Sequence, residues 1–154
     1  MKSTERAQLL RTYGHFYTYH APLGQKPGTC FYCGDPAGTV DHCPPLSFAD
    51  ALVRPDEDTR RIPFHLVPAC GQCNGWLGSR AVFHLIERVE FIRDRLRTDY
   101  ERRMALWSDE EIAEMSDRFA RAIRARREGL DRLRDRFRFA ERRALQPGAY
   151  PADD

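Results

Sequence analysis

The sequence predicts an α+β fold, mostly helical, in which a small cysteine-stapled module is followed by a long helical hairpin. Three observations predict it. Two CxxC pairs, Cys30-Phe31-Tyr32-Cys33 and Cys70-Gly71-Gln72-Cys73, stand 36 residues apart. Between them lie two short strand candidates, Thr39-Val40-Asp41-His42 and Phe64 to Pro68. From Asn74 onward the apolar residues fall at three-four spacing, the signature of a helix with one buried stripe.

Residues 3–13 suit a short helix, with Ser3 or Thr4 as its cap and Ala7, Leu9 and Leu10 as its apolar side. An aromatic cluster follows, from Tyr13 to His20, and reads either as the core of a small lobe or as a platform for unpaired bases. Pro22, Gly24, Pro27 and Gly28 then break the chain. A polar insertion, Asp50 to Arg61, separates the two strand candidates. Val82, Leu85, Ile86, Val89, Ile92, Leu96, Tyr100 and Met104 make the stripe of one long helix. Ser108 with Glu111 reads as a capping box, so a second helix begins there. Its stripe is Ile112, Met115, Phe119, Ile123, Leu130, Leu133, Phe137 and Ala140, ending at Gln146-Pro147-Gly148. These helices form either an antiparallel hairpin or a dimerising pair. The expected division is 1–28 for the helix and aromatic segment, 29–80 for the cysteine module, 81–146 for the helical region and 147–154 for a tail.

Length and charge bound the function only loosely. A chain of 154 residues is one ordinary domain, or a small domain with an appendage. Its net charge of +2 does not by itself announce a nucleic-acid binder. The distribution is more telling: eleven arginines and four acids lie between Arg118 and Arg143, a surplus of seven positive charges. No apolar run approaches the roughly 20 residues of a membrane span. The N-terminus lacks the apolar core of a signal peptide, so a cytoplasmic location is expected.

In such a chain, paired CxxC spacing favours a metal over disulfides. Each CxxC brings two thiolates to one cation, and two pairs complete a closed tetrahedral zinc site with a structural role. A redox CxxC or simply buried thiols are the alternatives. Cys43 reads as a packed thiol rather than a fifth ligand. Asp41 offers a carboxylate oxygen and Asn74 an amide oxygen, both suited to Mg²⁺ or Mn²⁺. His42, as a neutral imidazole, suits a general base that takes a proton from water. In a regular strand Asp41 and His42 would point to opposite sides; a loop or strand end would let both reach one phosphate.

These residues together resemble the HNH endonuclease family, with its ββα-metal fold. The resemblance rests on Cys30-Phe-Tyr-Cys33-Gly34, Asp41-His42-Cys43-Pro44-Pro45-Leu46-Ser47, His65-Leu66-Val67-Pro68-Ala69 and Cys70-Gly-Gln-Cys73-Asn74. It covers residues 29–80, about a third of the chain. It implies zinc on Cys30, Cys33, Cys70 and Cys73, His42 as general base, and a catalytic Mg²⁺ or Mn²⁺ on Asp41 and Asn74. The Asp-His and Cys-Asn arrangement is also similar to phage junction-resolving endonucleases, whose helices form an intertwined dimer. Two positions depart from the family pattern. His65 stands where the family has its middle asparagine; it is counted among the candidate catalytic residues, as a phosphate contact, a metal ligand or a structural hairpin residue. Leu77-Gly78 stands where a lysine often precedes glycine.

The expected function is hydrolysis of DNA phosphodiester bonds by a metal-dependent endonuclease. Arg121, Arg124, Arg127, Arg134 and Arg138 are candidates to follow DNA phosphates, although an arginine-rich amphipathic helix is also commonly just a solvated face. Five acids from Asp109 to Asp117 open the same helix, an arrangement that also suits a homodimer through the C-terminal helices. The alternative is a catalytically inactive zinc module that binds nucleic acid or protein.

Overall fold

The computed structural model describes residues 2–21, 25–54, 59–60, 62–104, 107–146 and 150. Helix α1 spans Ser3–Tyr13. Its cap is Lys2 rather than Ser3 or Thr4, and the Glu5 side chain accepts the Lys2 N–H at 3.3 Å. A 3-10 turn over Gly14–Phe16 leads into the two-residue strand β1, Thr18–Tyr19.

The centre of the module is a hairpin-like pair. Strand β2, Thr39–Cys43, runs antiparallel to β5, His65–Ala69, and β1 adds in parallel on the far side of β5. Between β2 and β5 come a 3-10 turn at Leu46–Phe48, the one-turn helix α2 (Ala49–Leu52) and the paired strands β3 (Val53–Arg54) and β4 (Thr59–Arg60). The expected polar insertion falls here, and its residues 55–58 and 61 lie outside the described residues. Helix α3, Gly71–Leu77, starts within the second CxxC pair, with the Cys70 thiol at its N-cap.

The register decides what each side chain can reach. Cys43 faces His65, Asp41 faces Val67 and Thr39 faces Ala69, so these six share one side of the sheet. Val40, His42, Leu66 and Pro68 share the other. The aromatic cluster resolves mainly as core. Tyr17 is buried with Leu46, Ala49, Val53 and Phe64, while Tyr13 and Phe16 pack against them and Tyr19 is exposed.

Helices α4, Leu85–Met104, and α6, Asp117–Ala144, form the antiparallel hairpin rather than separate arms. Tyr100 stacks on Phe137 with ring centroids 6.3 Å apart, and Arg97 lies 3.9 Å from Glu141 one turn further on. Leu85, Val89, Ile92 and Leu96 bury the stripe of α4 in one core with Leu133 and Ala140 of α6 and with the cysteine module. Val82 precedes α4, and Met104 at its end is exposed.

The second predicted helix is divided. Ser108 and Glu111 do form a reciprocal capping box, at 3.2 and 2.7 Å, but they cap only the short α5, Asp109–Ala113. Ser116 then adopts extended backbone and its carbonyl accepts the Phe119 and Ala120 N–H groups, starting α6 afresh. The break lets Ile112 and Met115 fold onto Ala120 and Ile123 in a small separate core, leaving Phe119 half-exposed against Trp107. Among the described residues no helix is long and apolar enough to cross a membrane.

Candidate metal centre and adjoining cleft

The four cysteines converge. Tight turns at Cys30–Gly34 and Cys70–Cys73 bring all four sulfurs within 4.8 Å of one another, all buried. Cys33 Sγ and Cys70 Sγ are 3.8 Å apart. A tetrahedral shell with metal–sulfur bonds of about 2.3 Å has edges of about 3.8 Å, so the donor set fits one closed four-thiolate metal ion. Cys70 Sγ also accepts the Cys73 N–H at 3.4 Å. Hydrogen bonds from Cys30, Cys33 and Cys73 hold Cys70 below the ordinary thiol range. Cys43 stays outside the cluster, where it donates to the Phe83 carbonyl at 3.1 Å, and burial pushes its thiol up to about 12.

Helix α6 closes over this cluster with arginines that reach into it. Arg136 places Nη2 3.8 Å from Cys73 Sγ, pairs Nε with Asp35 at 3.1 Å and hydrogen-bonds Gln72. Burial disfavours its charge, but the thiolates and Asp35 hold its pKa above the usual arginine value. Four thiolates on a divalent ion would carry two net negative charges, and Arg136, itself largely buried, would offset part of that charge. Arg143 donates Nε to the Phe31 carbonyl at 3.2 Å and lies over the Phe31 and Phe139 rings.

Beside the cysteine cluster a cleft of about 210 Å³ opens, with Arg6, His42, Ser47 and Asn74 among its lining and Asp41 contributing to the wall. His42 is half-buried, edge-on to the Tyr17 ring at 4.9 Å, and the Tyr17 hydroxyl is fixed by the Pro44 carbonyl at 2.9 Å. Burial first, and then the positive charge of Arg6, lower the His42 pKa below 6.5; Asp41 opposes them, and Arg88 adds a smaller lowering. The ring is therefore a neutral, proton-accepting imidazole at pH 7. Asn74 donates through Nδ2 to Thr39 Oγ1 at 3.0 Å and to the Val40 carbonyl at 3.3 Å, which ties α3 to β2 and leaves the amide oxygen out of both bonds.

Asp41 departs from its expected role. It sits inside a regular strand, so it points to the side opposite His42 and is only 3% exposed. Its Oδ2 accepts the Tyr32 hydroxyl at 2.5 Å and Arg88 Nη1 at 2.6 Å. As placed, Asp41 and Asn74 do not fit a divalent ion: Asp41, the only acid among the described residues lining the cleft, is already neutralised by a guanidinium.

His65 also lies elsewhere. Paired across from Cys43, it is buried on the face away from His42, edge-on to His20 at 4.8 Å, and lines a separate small cavity with Phe83 and His84. One-residue parity excludes it from the cleft. The five arginines proposed for phosphate contacts divide. Arg121, Arg124 and Arg138 are exposed, whereas Arg127 pairs with Asp109 and the Trp107 carbonyl, and Arg134 lies between Asp131 at 3.1 Å and Asp135 at 3.4 Å.

Sequence reasoning missed Tyr32, Arg88, Arg136 and Arg143. The three arginines carry one legible signal, since each falls on the apolar stripe of its helix, where a charge needs a buried partner. No protein-family model, curated protein or solved structure matches this chain.

Proposed function

We propose that the chain is an HNH-type endonuclease that hydrolyses DNA phosphodiester bonds, with His42 as general base and a structural zinc on Cys30, Cys33, Cys70 and Cys73. The observation that supports it most is the shared cleft: a neutral imidazole and a cationic Arg6 face one pocket, braced on a four-thiolate staple. In this reading a phosphate lies against Arg6. His42 accepts the proton of an attacking water as the new P–O bond forms, and the P–O3′ bond breaks with the leaving 3′ oxygen taking a proton from solvent. Asn74 holds the β2–α3 angle on which the position of His42 depends. Zinc, when bound, supplies rigidity rather than chemistry, because four thiolates leave it no open position.

The test is cleavage of supercoiled plasmid and branched DNA by the wild-type chain and by His42→Ala. General-base removal should reduce cleavage by roughly 10²-fold or more while leaving DNA binding intact. DNA binding without cleavage in the wild type would overturn the catalytic reading. It would favour a zinc module that only binds nucleic acid, a reading to which the neutralised Asp41 already lends weight.

A further inference from the structure

Asp41, the one acid among the described residues in the cleft wall, has a cation built into the chain. Arg88 is fully buried on α4, the helix that also buries Leu85, Val89 and Ile92. Nη1 bonds Asp41, Nε donates to the Val82 carbonyl at 2.9 Å, and Nη2 has no hydrogen-bond partner among the described residues. The guanidinium is thus held from two directions and cannot swing into water unless α4 parts from the sheet. Among the described residues, the other side chains around the cleft include Arg6 and no second Asp or Glu. Its formal charge is therefore positive, which attracts phosphate and repels a divalent cation.

We propose that Arg88 permanently occupies the cation position at Asp41, so that this cleft receives an anionic phosphate without a Mg²⁺ or Mn²⁺ ion on that carboxylate. The Arg88–Asp41–Tyr32 chain then acts as a positioning device beneath β2. It fixes the strand that carries His42 and spends the Asp41 charge on the fold instead of on a metal. This deepens the nuclease reading by assigning the charge of the site, yet it is tested without DNA, so the two readings fail separately.

The experiment follows Mn²⁺ added to the zinc-loaded chain. Two readouts serve, the free-ion electron paramagnetic resonance signal and paramagnetic broadening of the amide resonances of Val40, Asp41, His42 and Asn74. Expected for the wild type is no selective broadening at these four amides at millimolar Mn²⁺. Arg88→Met keeps the apolar stem and removes the charge, so Mn²⁺ affinity at Asp41 should rise by at least about tenfold, a gain that Asp41→Asn in the same background abolishes. Selective broadening of the four amides in the wild-type chain would overturn the proposal. That measurement needs no variant, so it decides the matter even where Arg88→Met does not fold.

Discussion

At the scale of single residues, the side chains with most consequence are charges in places where water is scarce. Arg88 and Asp41 are 0% and 3% exposed, so removing one partner strands the other. Arg88→Ala should cost about 3–5 kcal/mol of folding stability, read as a fall in the chemical denaturation midpoint. His42 has the opposite problem, since its usefulness as a base depends on remaining uncharged. Burial and Arg6 lower its pKa, so the acid limb of cleavage should lie below that of an unperturbed imidazole, with activity lost as falling pH protonates the ring. Replacing Arg6 with Gln removes a repelling charge, raises the His42 pKa and moves the acid limb of the pH profile upward. A limb that stays in place in Arg6→Gln would show that burial alone sets the shift. Asp41 and His42 were legible as a pair, and alternation along a strand foretold their divergence. The partner of Asp41 was not legible, because it lies 47 residues away on a helix whose stripe reads as apolar.

Among the elements, the cysteine turns and helix α6 constrain each other. Gly34 has φ +78°, and a Cβ there would sit 2.7 Å from the Phe139 ring. Gly34→Ala therefore meets both an unfavourable left-handed backbone and a blocked space, and should destabilise the chain by about 1–3 kcal/mol, visible as a lower melting temperature. The ends of α1, β2 and β5 were legible to within a residue, because caps, alternation and breakers are local signals. The division of α5 from α6 was not. A three-four stripe runs through Met115 and Ser116 without interruption, and only the tertiary gain of folding Ile112 back onto Ile123 breaks it. The arginines of α6 show the same limit. Composition marks a basic helix, and only position on its apolar stripe hints that Arg136 and Arg143 turn inward while Arg124 and Arg138 turn outward.

Across the whole molecule, the four-cysteine cluster, the sheet and the helical hairpin share one continuous core, in which Cys30, Val67, Ile92 and Ala140 belong to a single cluster. Loss of the metal should therefore not be confined to the module. Cys70→Ser, or chelation of the wild type, should release the bound ion and lose helical circular dichroism from α4 and α6 in the same transition. A helical signal that survives metal loss would show the hairpin to be an independent unit. The hydrogen bond from Arg143 to Phe31 spans 112 residues of chain, and this has a consequence during synthesis. The first cysteine pair leaves the ribosome well before the helix that shields it. At translation speeds of about 5–20 residues per second, that interval is on the order of ten seconds. Throughout it Cys30 and Cys33 lack helix α6, so a metal ion bound in that interval would constrain these thiols before the rest of the fold does.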